Sequence, residues 1–133
     1  MAGSEVTQDR EERDGIVDIT LNWTADDTDG SVPETVIDWP IDGILSYVTT
    51  NPGATAPTDL YDIVLEDKDG VDVMGGALGD RATAVSEVAY PKEPTPAVNL
   101  SGVPVLGQLT FKLTNNAVNS AVGSARLTIK KAG

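Results

Sequence analysis

The sequence predicts an all-β fold: a single-domain antiparallel β-sandwich, jelly-roll or Ig-like, of about eight short strands. Three observations predict it. Short runs that alternate apolar and polar residues recur along the chain, the pattern of strands with one buried face. Turn residues separate these runs, with 13 Gly and 8 Pro in 133 residues. Helical periodicity is almost absent between them. At 40% hydrophobic content the chain suits one core, and one domain is expected at this length. Aromatics are only 5%, so Val, Ile, Leu and Ala must fill the interior. The chain has no cysteine, so the disulfide of antibody-type domains is excluded.

The elements follow in order. Residues 1–14, "MAGSEVTQDREERD", carry almost no apolar side chain and read as a flexible N-terminal arm, leaving residues 15–133 as the sandwich domain. In "GIVDITLNWTA" Val17, Ile19, Leu21 and Trp23 share one face. "TVIDWPI" sets Ile37, Trp39 and Ile41 together, and Asp42-Gly43 breaks the chain before "ILSYVTT". "NPGATAP" is a loop. "LYDIVLED" turns Tyr61, Ile63 and Leu65 inward. Asp67-Lys68-Asp69-Gly70 then makes a hairpin loop with Gly70 in the left-handed position, and Val71 and Val73 resume a strand. Residues 77–86 read as a helical turn or an irregular crossing. The proline-rich stretch 91–104 reads as an extended connection with an edge strand. "QLTFKLT" and "SARLTIKK" close the chain as a hairpin, with Leu109, Phe111, Leu113, Ala125, Leu127 and Ile129 inward.

The composition narrows the chemistry. Without Cys or His, thiol nucleophiles, Ser-His-Asp triads and Zn sites with those ligands are impossible. Acids in the turns, Asp26, Asp27, Asp29, Asp67, Asp69 and Asp72, have no apolar wall to raise one pKa, so no catalytic pair is assigned. "DKDG" also resembles part of a calcium loop, but the twelfth position, where an EF-hand needs Glu, falls on Leu78 or Gly79. The hairpin reading is preferred. The turns Asp26–Gly30 and Asp67–Asp72 would hold an ion only if the fold brought them together. Trp23, Trp39, Tyr47, Tyr61 and Tyr90 could stack on sugar in a carbohydrate- or calcium-dependent adhesion module, although Trp23 and Trp39 sit in inward registers. No cofactor is expected. There is no apolar run of the length a membrane helix needs, and Met1–Gly15 lacks the apolar segment of a signal peptide. A soluble protein made in the cytosol, with no membrane partner, is expected.

Net charge is −12, which disfavours nucleic acid as a partner. The charge is segregated: residues 14–80 carry a net −14 and residues 81–133 a net +4. Lys112, Arg126 and Lys130 fall on the outward register of the last two strands, with Lys131 in the tail. They are expected to form one basic face that meets an acidic neighbouring subunit, another copy included.

The segment 51–84, "NPGATAPTDLYDIVLEDKDGVDVMGGALGDRATA", resembles small proteins encoded among the virion genes of tailed bacteriophages. The match lies at Asn51-Pro52-Gly53, Ala56-Pro57-Thr58-Asp59, Tyr61-Asp62, Asp69-Gly70-Val71-Asp72-Val73, Gly75-Gly76 and Arg81. The resemblance implies a non-enzymatic virion component and carries over no catalytic residue. The expected function is capsid decoration, or cement, on the outside of the phage head. The expected partners are the major capsid protein or other virion subunits and further copies in a homo-oligomer. A neck, collar or tail adaptor is the alternative position.

Overall fold

The computed structural model describes residues 4–83, 85–94, 97–99 and 102–131. Among these, eleven strands and no helix occur: β1 (Glu5–Arg13), β2 (Ile16–Thr24), β3 (Thr35–Val36), β4 (Ile41–Pro52), β5 (Asp62–Glu66), β6 (Glu87–Ala89), β7 (Lys92–Pro94), β8 (Ala97–Asn99), β9 (Val103–Gly107), β10 (Thr110–Thr114) and β11 (Val122–Lys131). All pairings between them are antiparallel. The large sheet runs β1-β2-β11-β4-β6, and β9 flanks β4 on the edge it shares with β6. The small sheet runs β3-β10-β5, while β7 and β8 pair only with each other.

The two sheets pack face to face as a β-sandwich around one apolar cluster. Val17, Ile19, Leu21 and Trp23 of β2 and Ala125, Leu127 and Ile129 of β11 meet Ile63 and Leu65 of β5 and Phe111 and Leu113 of β10. The expected period-two alternation holds on each of these strands, because every second side chain leaves water for that cluster. Trp23 and Tyr61 pack ring to ring in its centre, 5.8 Å between centroids at 57°. Trp39 reaches the cluster only in part, while Ile37 and Ile41 on either side of it are fully buried.

Four segments differ from expectation. Glu5–Arg13 is a strand, not a flexible arm; it pairs with β2 over nine residues, from Glu5 opposite Thr24 to Arg13 opposite Ile16. Asp14 (φ 53°) and Gly15 (φ 81°) make the two-residue turn whose positive angles suit a tight hairpin. Backbone pairing supplies what the apolar-poor sequence does not. Met1–Gly3 of the proposed arm lie outside the described residues.

The Asp42-Gly43 pair, expected as a break, lies inside β4. There a Cβ on Gly43 would stand 2.2 Å from the carbonyl oxygen of Lys130, so glycine serves close strand approach and not a turn. After the hairpin loop, in which Gly70 does take φ 78°, Val71 and Val73 form no strand beyond one bridge, Glu66 with Asp72. The Asp72 carboxylate accepts the amides of Leu65, Met74 and Gly76 at 3.3, 3.1 and 2.8 Å and bends the chain away.

The last two strands are not a hairpin. β10 belongs to the small sheet and β11 to the large one, so residues 115–121 cross between layers. The crossing is anchored by Asn116. Its side chain donates to the Gly30 carbonyl at 2.7 Å and accepts from the Thr58 amide at 2.9 Å, tying three loops together.

Gln8 joins the layers at the opposite side. Its register on β1 faces inward, opposite Leu21. The amide donates to the Val36 carbonyl at 3.2 Å and accepts from the Asp38 amide at 2.8 Å. A neighbouring strand would bond the same two backbone groups, so one side chain caps the open edge of the small sheet beside β3.

Candidate interaction surface

The crossing separates the four expected cations. Lys112 lies on the outer face of the small sheet, where it sits 2.7 Å from Glu66 and 3.3 Å from Glu34. Those hydrogen bonds, Glu66 first, raise the Lys112 pKa above its ordinary value. Arg126 and Lys130 lie on the outward register of β11 in the large sheet. Lys131 falls on the inward register and meets Glu12 of β1 at 3.1 Å. Glu12 also pairs with Arg10 at 3.0 Å, and the bonds from Lys131 and then Arg10 lower its pKa. The expected single basic face is therefore corrected to Arg126 and Lys130. The other cations of the basic C-terminal part are largely answered inside the chain: Lys112 and Lys131 as above, and Arg81 by Glu87 at 3.7 Å.

The outer face of the large sheet has three zones, set by strand order and register. Glu5, Asp9 and Glu11 of β1 and Asp18 of β2 make an acidic margin. Next comes β11 with Arg126 and Lys130, neither of which has a carboxylate within 4.0 Å among the described residues. Arg126 shares a shallow cleft with Asp9, Glu11 and Asp18. Beyond β11 the face turns apolar. Ile44 of β4 stands between Lys130 and Pro104, and Leu106 pairs with Asp42. Val88 pairs with Thr49, and Tyr47 packs on Tyr90 at 5.9 Å between ring centroids. Leu106 is 81% exposed, Tyr90 49%, Val88 48% and Ile44 36%. On the far side of Lys130, Ile16 adds a fifth exposed apolar side chain.

The sequence alternation did indicate that Arg126 and Lys130 point outward. It gave no sign that the Pro-rich stretch around Leu106 returns to lie beside β4, because that pairing joins residues about sixty positions apart.

The other expected sites resolve into architecture. In Asp26–Gly30, the Asp26 carboxylate accepts the amides of Thr28 and Asp29 at 2.7 and 3.3 Å. Asp29 accepts the Ser31 amide at 2.9 Å, which lowers its pKa. Asp67 likewise accepts the amides of Asp69 and Val71 at 2.9 and 3.0 Å. These are turn-building bonds. Among the described residues no three carboxylates converge as a metal site would require. Trp23 and Tyr61 are buried and offer no ring to a sugar; of the five aromatics considered, Tyr90 is the most open.

Residues of the segment 51–84 also hold the chain together. Arg81 bridges to Tyr61 through the backbone at 2.7 Å, and its guanidinium donates to the Ala77 carbonyl at 3.0 Å. The Asp62 carboxylate accepts the Asp80 amide at 2.7 Å and the Asn115 side chain. Fold and face together define a β-sandwich with one apolar-cationic sheet surface. No protein family, curated protein or solved structure matches the chain.

Proposed function

We propose that this protein is a non-enzymatic structural component of a tailed-phage virion, a capsid decoration protein that binds the outside of the head shell. One observation carries the reading: the outer face of the large sheet gathers Ile44, Val88, Tyr90 and Leu106, all exposed, beside Arg126 and Lys130, on a chain of net charge −12. Exposed apolar groups collected on one face of a protein mark a surface made to be covered. The phage-like motif at residues 51–84 supports the same class.

The physical logic of decoration fits such a protein. Each contact is modest, and many copies on a lattice add their buried area. The acidic remainder keeps free copies soluble before assembly and disfavours a position against packaged DNA. The protein would be made in the host cytoplasm and act on the virion surface.

The test is co-sedimentation of purified protein with undecorated shells. Recovery at a copy number comparable to the shell protein is expected. A few copies per particle would move the assignment to a neck, collar or tail adaptor, and no recovery would reject a role on the particle.

A further inference from the structure

Resting on that reading, we infer that the outer face of the large sheet docks on an acidic surface of a different chain. That partner, a shell subunit, sets carboxylates beside apolar side chains. A second copy of this protein does not fill the role.

The register makes the case. On this face the cations without a carboxylate partner form one column, β11, since Arg13 of β1 pairs with Glu11, and four of the five exposed apolar side chains lie on the columns beyond it, β4 with β6 and β9. A complementary surface must therefore place negative charge about one strand spacing, ~4.8 Å, from an apolar ridge. Sheets stacked face to face keep their strands roughly aligned. For two copies so stacked, a two-fold axis across the strands sets β11 on β11, with cations facing cations. A two-fold axis along the strands either sets the apolar columns over charged ones, Arg126 and Lys130 or the acids of β1 and β2, or, placed among β4, β6 and β9, pairs the apolar columns and leaves Arg126 and Lys130 unanswered. Neither stacking satisfies the face, and two bodies of charge −12 repel as they approach. A foreign chain is free of the two-fold constraint and can set its acidic groups opposite β11 alone, where Arg126 and Lys130 offset the repulsion. Lys130, between Ile44 and Ile16 in register, would take one carboxylate while Leu106 and Ile44 cover apolar surface.

The experiment compares wild type, Leu106→Asp, the pair Arg126→Glu with Lys130→Glu, and a control, Thr114→Glu, on the opposite sheet. All four positions are exposed, so circular dichroism should report an unchanged fold. Binding to undecorated shells is measured by co-sedimentation at low and high salt. Sedimentation velocity of the free proteins reports self-association. Leu106→Asp and the double reversal should each weaken shell binding by about tenfold or more, while Thr114→Glu binds as wild type. Added salt should weaken wild-type binding, and the double reversal should lose that salt dependence.

Equal binding by all four proteins would overturn the face while leaving the decoration reading intact. A wild-type dimer abolished by Leu106→Asp would show that a second copy occupies the face, and would overturn the choice of partner. Absence of wild-type binding would overturn the decoration reading, and this assignment with it.

Discussion

At the scale of single residues, side-chain carboxylates and amides decide more than the charge total suggests. Asp69 and Asp72 are three positions apart in one acidic turn, yet they should behave differently. Asp72 accepts three backbone amides, whereas the Asp69 carboxylate accepts none among the described residues. Asp72→Ala should therefore cost about 1–3 kcal/mol by leaving those donors unpaired, and Asp69→Ala should be near neutral. Urea unfolding of the two variants checks this, and equal midpoints would contradict it. Chelation by EDTA should leave both midpoints where they are.

Titration acts at the same scale. Glu12 and Asp29 are held below their ordinary values of 4.5 and 3.8, by Lys131 and Arg10 and by the Ser31 amide respectively. Folding thus favours their ionised forms. That contribution is complete above the ordinary values and is lost as pH falls through the lower folded ones. Lys112 is raised above 10.5 by Glu66 and Glu34, and Tyr61 above 10.0 chiefly by burial. Their contribution is complete below those values and is lost as pH rises through the folded ones. The urea midpoint should be flat from about pH 5 to about pH 9 and fall on both sides. Lys112→Gln should shrink the alkaline fall. A midpoint that rises below pH 4 would contradict this assignment.

At the scale of elements, β1 tests whether the N-terminal segment is part of the fold. Val6 packs against the core and Gln8 caps the edge of the small sheet. Gln8→Leu should cost about 1–2 kcal/mol, because two backbone groups lose their partner. Deleting residues 1–14 should cost more, since it also strips a nine-residue pairing from β2. It should also promote association through the bared edge. Thermal melting and light scattering measure these effects, and an unchanged melt of the deletion would return the segment to the status of an arm.

The reading of β1 as an arm shows where sequence patterns run short. An edge strand half-buried only at Val6 and Gln8 and exposed from Asp9 on needs little apolar alternation, so "EVTQDREER" carries almost no strand signal of its own. Only Asp14-Gly15, the residues of a tight hairpin turn, marked it. The alternation in β2, β5, β10 and β11 was legible because each has one wet and one buried face. Which strands pair was not legible: "QLTFKLT" and "SARLTIKK" alternate equally well as hairpin partners or as members of two sheets. The choice lies with Asn116, whose bonds to Gly30 and Thr58 span 86 and 58 positions.

At the scale of the whole molecule, the segregation of charge along the chain becomes complementarity within it. The sandwich sets the basic C-terminal strands against acidic N-terminal ones, joining Lys112 to Glu34 and Glu66 and Lys131 to Glu12. Of the cations expected to meet a partner, Arg126 and Lys130 remain, next to the exposed apolar columns. The candidate surface was thus half legible: its cations could be read from β11, but its apolar half depends on β9 returning to β4.

The most direct test of that surface is hydroxyl-radical footprinting of the protein free and bound to shells. Leu106, Tyr90, Val88 and Ile44 are exposed on the proposed face, and Leu60, Val71 and Val36 are exposed elsewhere. Binding should slow oxidation of the first group several-fold and leave the second group unchanged. Protection of Leu60, Val71 and Val36 with continued oxidation of Leu106 and Tyr90 would contradict the assignment of this face.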